Sequence, residues 1–330
     1  MHIAILGAAG MIGRKLAERL AREGRLGDAD IARFTLLDVV PADAPAGFTG
    51  TVDSRAADLS DFSVAQTLVA ARPDVIFHLA AIVSGEAEAD FDKGYRVNLD
   101  GTRHLFEAIR AASAEGYRPR VVFTSSVAVF GAPLPDRIPD DFHTTPLTSY
   151  GTQKAIGELL LNDYSRRGFF DGISIRLPTV CIRPGKPNLA ASGFFSSILR
   201  EPLVGQEAVL PVTDDVRHWH VSPRSAVGFL VHAATLDLEE VGPRRALSMP
   251  GVSATVGEQI EALRRIAGDR AVALIRRVPD ERIQRMVGAW APGFDPQRAV
   301  ALGFTAEQTF DEIIRVHIED ELGGTLPAGR

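Results

Sequence analysis

Along the first half of the chain, short uninterrupted apolar runs alternate with longer stretches in which apolar residues recur every three or four positions. The runs at 2–6, 34–37, 75–79, 120–124 and 172–176 are rich in Val, Ile, Leu and Phe, with little polar alternation. That is the pattern of parallel strands covered on both faces. The stretches at 11–23, 61–71, 91–114 and 150–166 have helical spacing. Strands and helices taking turns in this way predict an α/β fold, a Rossmann-type doubly wound parallel sheet. After Pro178 the texture changes: Arg183-Pro184-Gly185-Lys186-Pro187 is a turn-rich break, followed by short mixed segments. The expected division is a first domain over 1–180, with a return segment around 215–240, and a smaller C-terminal lobe over 181–330. Ligands of open α/β sheets bind beyond the carboxyl ends of the strands, so the cleft is expected where the lobes meet.

Composition narrows the class. With 45% hydrophobic and 24% charged residues, the 330-residue chain has the balance of a globular protein. A net charge of −6 argues against nucleic acid or an anionic membrane as partner. No apolar run approaches the roughly 18 residues needed to span a bilayer. The run at 2–6 has no basic segment before it and ends in a glycine turn, so it reads as a buried strand rather than a signal peptide. The single cysteine, Cys181, excludes an intrachain disulfide and suits a reducing compartment, and a cytoplasmic protein is expected.

The first candidate chemistry follows the first strand directly: Gly7-Ala8-Ala9-Gly10-Met11-Ile12-Gly13, opening the first helix. Glycine lets the backbone turn tightly and approach a pyrophosphate, and a helix N-terminus offers unpaired N–H groups and partial positive charge. A glycine triplet alone is weak evidence; the strand before it and the helix after it supply the needed context. The next strand ends in Leu36-Leu37-Asp38, placing Asp38 where a carboxylate accepts hydrogen bonds from an adenosine ribose. It would repel a 2′-phosphate, and Val39-Val40 supplies no cation to hold one, so NAD is expected as cofactor. The alternative for Asp38 is a solvated turn residue. Asp58-Leu59 either caps a helix or contacts adenine.

The second is Tyr150-Gly-Thr-Gln-Lys154. On a helix, positions i and i+4 share a face, so phenol and ammonium address one site. A free phenol, with pKa near 10, is a poor base at neutral pH; a neighbouring ammonium favours the phenolate. The chain has four Tyr and only four Lys against 32 Arg. Such a pair would arise by chance in about one such chain in twenty. The alternative is a surface pair with the ring packed on the core. Upstream, Val121-Val122-Phe123 ends in Thr124-Ser125-Ser126, where a strand-end hydroxyl can address a substrate oxygen or simply shape a turn. Asn98, mid-helix where Asn has no propensity advantage, is either a buried anchor that orients the lysine or a surface residue.

Together these segments resemble the extended short-chain dehydrogenase/reductases, the NAD-dependent epimerase/dehydratase family, over most of the chain. The resemblance takes in the glycine loop, Asp38, Asp58-Leu59, His78-Leu79-Ala80-Ala81, Asn98 and Ser125-Ser126 with Val129-Phe130-Gly131. It continues through Tyr150 and Lys154 to Phe294-Asp295-Pro296-Gln297-Arg298-Ala299 and Leu302-Gly303-Phe304. It implies an NAD-dependent enzyme with Tyr150 as proton acceptor and Lys154 on the nicotinamide ribose, tuning Tyr150. Ser126 would polarise the substrate oxygen, with Ser125 the neighbour that takes this role instead. Gly7, Gly10, Met11, Ile12, Gly13, Asp38, Asp58, Leu59, Leu79, Ala80, Ala81, Asn98 and Ser125 would line the cofactor. Pro178, Thr179 and Val180 would contact its carboxamide end. Members of the family often pair through the helices beginning near Phe91 and Tyr150, which implies a homodimer.

Family members acting on nucleotide sugars usually carry an Arg-Asp-Phe-Ile-His-Val-x-Asp run whose Arg binds phosphate. Here the run is Arg217-His218-Trp219-His220-Val221-Ser222-Pro223-Arg224, without the aspartate. The segments from Arg176 to Gly185 and from Gly193 to Leu203 are most similar to a branch that oxidises the 2-hydroxyl of short sugar acids such as D-erythronate. A small carboxylate substrate needs a guanidinium, and Arg183 and Arg217 are the candidates, with Lys186 behind them. The alternatives are a nucleotide-sugar epimerase or dehydratase with tightly held NAD, and a non-catalytic NAD-sensing protein. His218 and His220, two residues apart without clustered Cys or acid, have poor metal spacing, and no metal is expected.

Overall fold

The computed structural model describes residues 1–185 and 192–326, so Lys186 lies outside the described residues. The chain forms two compact units. One holds Met1–Val129, Thr148–Leu177 and Val227–Ser248; the other holds Phe130–Leu147, Pro178–Ala226 and Met249–Arg330.

In the first unit, seven strands make one sheet: β1 (His2–Leu6), β2 (Arg33–Asp38), β3 (Thr51–Ala56), β4 (Val75–His78), β5 (Arg120–Ser126), β6 (Asp171–Leu177) and β7 (Ala246–Ser248). Their order is β7-β6-β5-β4-β1-β2-β3, and every neighbouring pair is parallel. The chain winds outward from β1 to β3, then crosses back to β4 on the other side of β1. That reversal is the switch point of a Rossmann fold, where the carboxyl ends of β1 and β4 leave a crevice for a ligand. The helices that cover the sheet include α1 (Met11–Glu23), α2 (Phe62–Ala70), α3 (Gly101–Ser113) and α4 (Ser149–Arg166). Leu6, Leu68, Leu105, Phe106, Val121 and Leu161 belong to one buried cluster of this unit. Because β1, β4 and β5 are covered on both faces, their sequences are continuous apolar runs.

Among the strands and helices of this unit, two features depart from what the sequence predicts. The edge strand β3 is mostly exposed, so Thr-Val-Asp-Ser-Arg-Ala carries no apolar run to announce it. The helix expected over 91–114 is interrupted. Short helices at Ser84–Ala89 and Phe91–Gly94 precede a π turn at Tyr95–Asp100, and only then does α3 begin. A π turn widens the helix by one residue and is frequent at functional positions.

The second unit contains a sheet of Thr179–Val180, Arg217–Val221 and Val252–Thr255. Its core joins Phe195, Ile198 and Leu199 of the helix Gly193–Leu203 to Leu263 of Val256–Val272 and Ile314 of Phe310–Glu321. Among the described residues no helix is long and apolar enough to cross a membrane.

Candidate active site

The chain leaves β1 through Gly7, whose φ of 86° lies in the left-handed region that glycine tolerates. A Cβ there would fall 2.8 Å from the Ala80 nitrogen, and one at Gly13 would fall 2.2 Å from the Gly7 carbonyl. Leu37 O accepts the N–H groups of Gly7 at 2.8 Å and Ala8 at 3.2 Å, pinning the turn to β2. Gly10 then starts α1 with no side-chain cap and no acidic residue in the first turn. The first N–H groups of that helix, over Met11, Ile12 and Gly13, thus have no side chain of their own competing for them, which is what a phosphate needs. Behind the loop, the Leu79 N–H donates to Leu6 O at 2.9 Å, which seats 79–81 against Gly7.

Asp38 is not a merely solvated turn residue. Its Oδ2 accepts from Ala9 N at 2.9 Å and its Oδ1 from Val39 N at 2.7 Å, so it ties the glycine loop to the end of β2. Each carboxylate oxygen retains a second lone pair for a ribose hydroxyl. Val39 and Val40 beside it are 66% and 54% exposed. Of the two roles open to Asp58, helix capping falls to Asp61, which accepts from Ser63 N at 2.9 Å. Asp58 closes a turn by accepting from Ser60 N at 2.9 Å, and Leu59 is buried in the core.

The helix α4 is started by Thr148, whose hydroxyl accepts from Gly151 N at 3.0 Å. A Cβ on Gly151 would lie 2.1 Å from Ala128 O, so this first turn is pressed against the segment leaving Ser126. Tyr150 and Lys154 share one face: Lys154 Nζ lies 5.7 Å from the centre of the Tyr150 ring and 4.8 Å from that of Phe123. Nζ donates to Thr124 O at 2.8 Å, at the carboxyl end of β5. Lys154 is 3% exposed. Burial pulls its pKa down to about 7, opposed by the carboxylate of Glu158 one turn further along. Glu158 in turn holds the Arg176 guanidinium through two bonds of 2.9 and 2.7 Å, both side chains being buried.

The hydroxyls at the end of β5 have separate fates. Thr124 Oγ1 donates to His78 O at 3.1 Å. Ser125 Oγ is buried with no partner among the described residues. Ser126 Oγ accepts from Ala128 N at 3.1 Å, which leaves its own proton to be donated. Asn98 is buried, as an anchor would be, yet its amide reaches Ile82 and Gln153 rather than Lys154. The sequence alone assigns no role to His78, Glu158 or Gln153. For Glu158 a signal existed, since Tyr150, Lys154 and Glu158 are spaced by four and fall on one helix face.

His78 Nε2 meets Thr102 Oγ1 at 2.9 Å, and that hydroxyl donates to Asn98 O at 2.7 Å, so Nε2 carries the hydrogen. Burial, with Lys154 nearby, lowers the pKa of His78 to about 3. In the second unit, burial lowers that of His218 to about 4. Both values lie below the unfolded one, so stability is fully present above pH 6.5 and is lost as pH falls towards 4 and then 3. The urea midpoint should therefore hold between pH 8 and 7 and fall between 6.5 and 5, each histidine adding a slope of up to about 1.4 kcal/mol per pH unit. In His78→Asn the fall should be shallower; an equally steep fall would remove His78 from this account.

In the second unit, Thr179 and Val180 pair in parallel with His220 and Val221, and both Pro178 and Val180 are buried. Thr179 Oγ1 meets His218 Nε2 at 2.7 Å, while His218 Nδ1 meets Ala291 O at 3.1 Å. Arg183 donates through Nε to Val180 O at 3.0 Å and through Nη2 to Ser192 Oγ at 3.1 Å. Arg217 is more exposed and already faces an acid, with Nη1 3.1 Å and Nη2 3.2 Å from the Glu258 carboxylate.

Residues 3–221 match the model of the NAD dependent epimerase/dehydratase family. This chain belongs to that family. Two relatives that match this chain over nearly their whole length are named D-erythronate dehydrogenase. The one from Cupriavidus necator is 48% identical, over 97% of this chain and 98% of the relative. The one from Haemophilus influenzae is 40% identical, over 98% and 100%. A crystal structure from Agrobacterium tumefaciens, described as a nucleoside-diphosphate-sugar epimerase, is 74% identical with a TM-score of 0.97, covering 99% of this chain and 96% of that one. L-threonine dehydrogenase from Clostridium difficile, 21% identical, shares the fold with a TM-score of 0.83 over 98% and 99%. NAD is the cofactor of this family member, and the uncapped α1 start, the glycine cradle, Asp38 and the buried Ser125 hydroxyl all fit it.

Proposed function

We propose that this chain, an NAD-dependent oxidoreductase acting on a CH–OH group, oxidises the 2-hydroxyl of D-erythronate or a close short sugar acid to the 2-keto acid. The observation that carries the reading is the placement of Tyr150 and Lys154 on one face of α4, with Lys154 Nζ held on Thr124 O at the carboxyl end of β5. Bound NAD supplies the hydride acceptor. Tyr150 takes the hydroxyl proton, its phenolate favoured by the Lys154 ammonium. The Ser126 hydroxyl, with its proton available, donates to the substrate oxygen, and Ser125 is the second candidate. Lys154 also addresses the nicotinamide ribose. The glycine loop, Asp38, Asp58, Leu59, the segment 79–81, Asn98, Pro178 and Val180 make the rest of the cofactor site.

For the substrate carboxylate we assign Arg183 ahead of Arg217, because Arg183 is partly buried and Arg217 exposed, and a carboxylate held on a partly buried cation is screened less. The two relatives named D-erythronate dehydrogenase support the substrate class. The description of the Agrobacterium structure favours a second reading, a nucleotide-sugar epimerase that returns the hydride to its product. Following NADH absorbance with D-erythronate and other short sugar acids, and separately with UDP-sugars, separates them. Net NADH with an acid is the expected result, with Arg183→Ala raising KM for the acid by about tenfold or more, the loss of one charge-assisted bidentate contact. UDP-sugar interconversion without net NADH would replace the dehydrogenase reading. An unchanged KM in both Arg183→Ala and Arg217→Ala would withdraw the carboxylate assignment. We further infer a homodimer, because Phe91 and Leu159, on the two helical segments by which family members pair, are large apolar side chains left 58% and 68% exposed.

A further inference from the structure

The amides of Asn98 and Gln153 form a chain with a fixed direction. Ile82 N–H donates to Asn98 Oδ1 at 2.9 Å, and because a backbone N–H can only donate, the Asn98 amide has one orientation. Asn98 Nδ2 is therefore left to face two acceptors, Ile82 O at 3.2 Å and Gln153 Oε1 at 2.8 Å. Gln153 has to present its oxygen, and its Nε2 is buried with no partner among the described residues. A buried donor without an acceptor costs stability. A methionine of similar volume would avoid that cost, so what the amide contributes is its oxygen. The space for it is made by Gly94, where a Cβ would lie 2.7 Å from Gln153 Nε2.

We propose that Gln153 is a positioning residue. Through Asn98 it locks residue 82, at the end of the segment that backs onto the glycine loop, to the helix carrying Tyr150 and Lys154. One side of this lock sets the cofactor cradle and the other sets the proton-transfer pair, so it fixes the distance between them. The inference rests on the roles of Tyr150 and Lys154 proposed above. A misplacement of 1 Å between reacting groups can cost about 10²-fold in rate, so the lock has a measurable effect on kcat.

The test compares Gln153→Met, which keeps volume and loses the acceptor, with Gln153→Glu, which keeps an acceptor oxygen. In the cofactor-free Gln153→Met protein the Ile82 amide should exchange its hydrogen about tenfold faster or more, while the Leu79 amide, held on Leu6 O, is unchanged. With D-erythronate and NAD, kcat should fall by about tenfold or more with KM for the acid within about twofold, and Gln153→Glu should restore most of both losses. The double variant Asn98→Ala/Gln153→Met should be no slower than Asn98→Ala alone, because the two act through one bond. Unaltered Ile82 exchange in Gln153→Met, or additive losses in the double variant, would overturn the proposal. Should Gln153→Met fail to fold, Gly94→Ala crowds the same amide from a helical backbone position with φ −56°, and it should show the same exchange change. If Tyr150→Phe keeps its turnover, the catalytic reading fails while the exchange experiment still decides the lock. If Tyr150→Phe is inactive and Gln153→Met behaves as wild type, only the lock fails.

Discussion

In Tyr150→Phe, NAD affinity should stay within about twofold of wild type while kcat for D-erythronate oxidation falls by about 10²–10⁴-fold. The variant deletes one oxygen and keeps the ring, so the contact with Lys154 and the start of α4 persist. Thr148 still caps the helix, and Lys154 remains held on Thr124 O. What disappears is the atom that receives the hydroxyl proton. Steady-state kinetics with titration of NAD by protein fluorescence separates the two quantities. Turnover near the wild-type level would show that the proton leaves by another route.

Glu158→Ala should lower the unfolding free energy by about 3–5 kcal/mol, because it removes the carboxylate that holds a buried guanidinium through two bonds. Glu158→Gln should fall between wild type and Ala, since it keeps a hydrogen-bond acceptor and loses the charge. There is a kinetic consequence as well. Glu158 is the group that opposes the fall in the Lys154 pKa, so its removal lowers that value below about 7 and leaves less ammonium at a given pH. Activity that needs the ammonium should then decline at lower pH, moving the alkaline limb of the profile towards acid. Urea denaturation and a pH–rate profile check both parts. An unchanged midpoint would mean that Arg176 is held as well without Glu158.

The parts of this molecule legible from sequence are those set by local rules. Parallel strands buried on both faces produce continuous apolar runs, so β1, β4, β5 and β6 could be placed within a residue or two. A glycine loop between strand and helix, and a Tyr–Lys pair at helical spacing, carry their geometry in their spacing. Other features depend on partners distant along the chain. Strand β3 is recruited by pairing with β2 alone, and its polar residues give no hint of it. The π turn at Tyr95–Asp100 comes from no composition rule that could be read beforehand. Asn98 stands out in the sequence because Asn is unexpected in mid-helix, but its partners, Ile82 and Gln153, are set only by the fold. The arginines behave the same way: Arg183 and Arg217 look alike as letters, and only the structure shows one donating to Val180 O and Ser192 Oγ and the other facing Glu258.

The interleaved make-up of the two units bears on how the protein is made. The sheet of the first unit is closed at one edge by β7, which the ribosome adds only after nearly all of the stretch from 178 to 226 has emerged. The segment Val227–Ser248, which carries β7, also supplies the carbonyls of Ala233 and Leu236 that receive the Arg120 guanidinium at 3.1 and 2.9 Å. A nascent chain therefore holds an open strand edge through the synthesis of about 70 residues, from Leu177 to Ala246, and an unmet cation for more than a hundred, from Arg120 to Ala233. Until that late segment arrives, β6 presents its backbone to any extended peptide nearby, and this is the interval in which a chaperone would matter most.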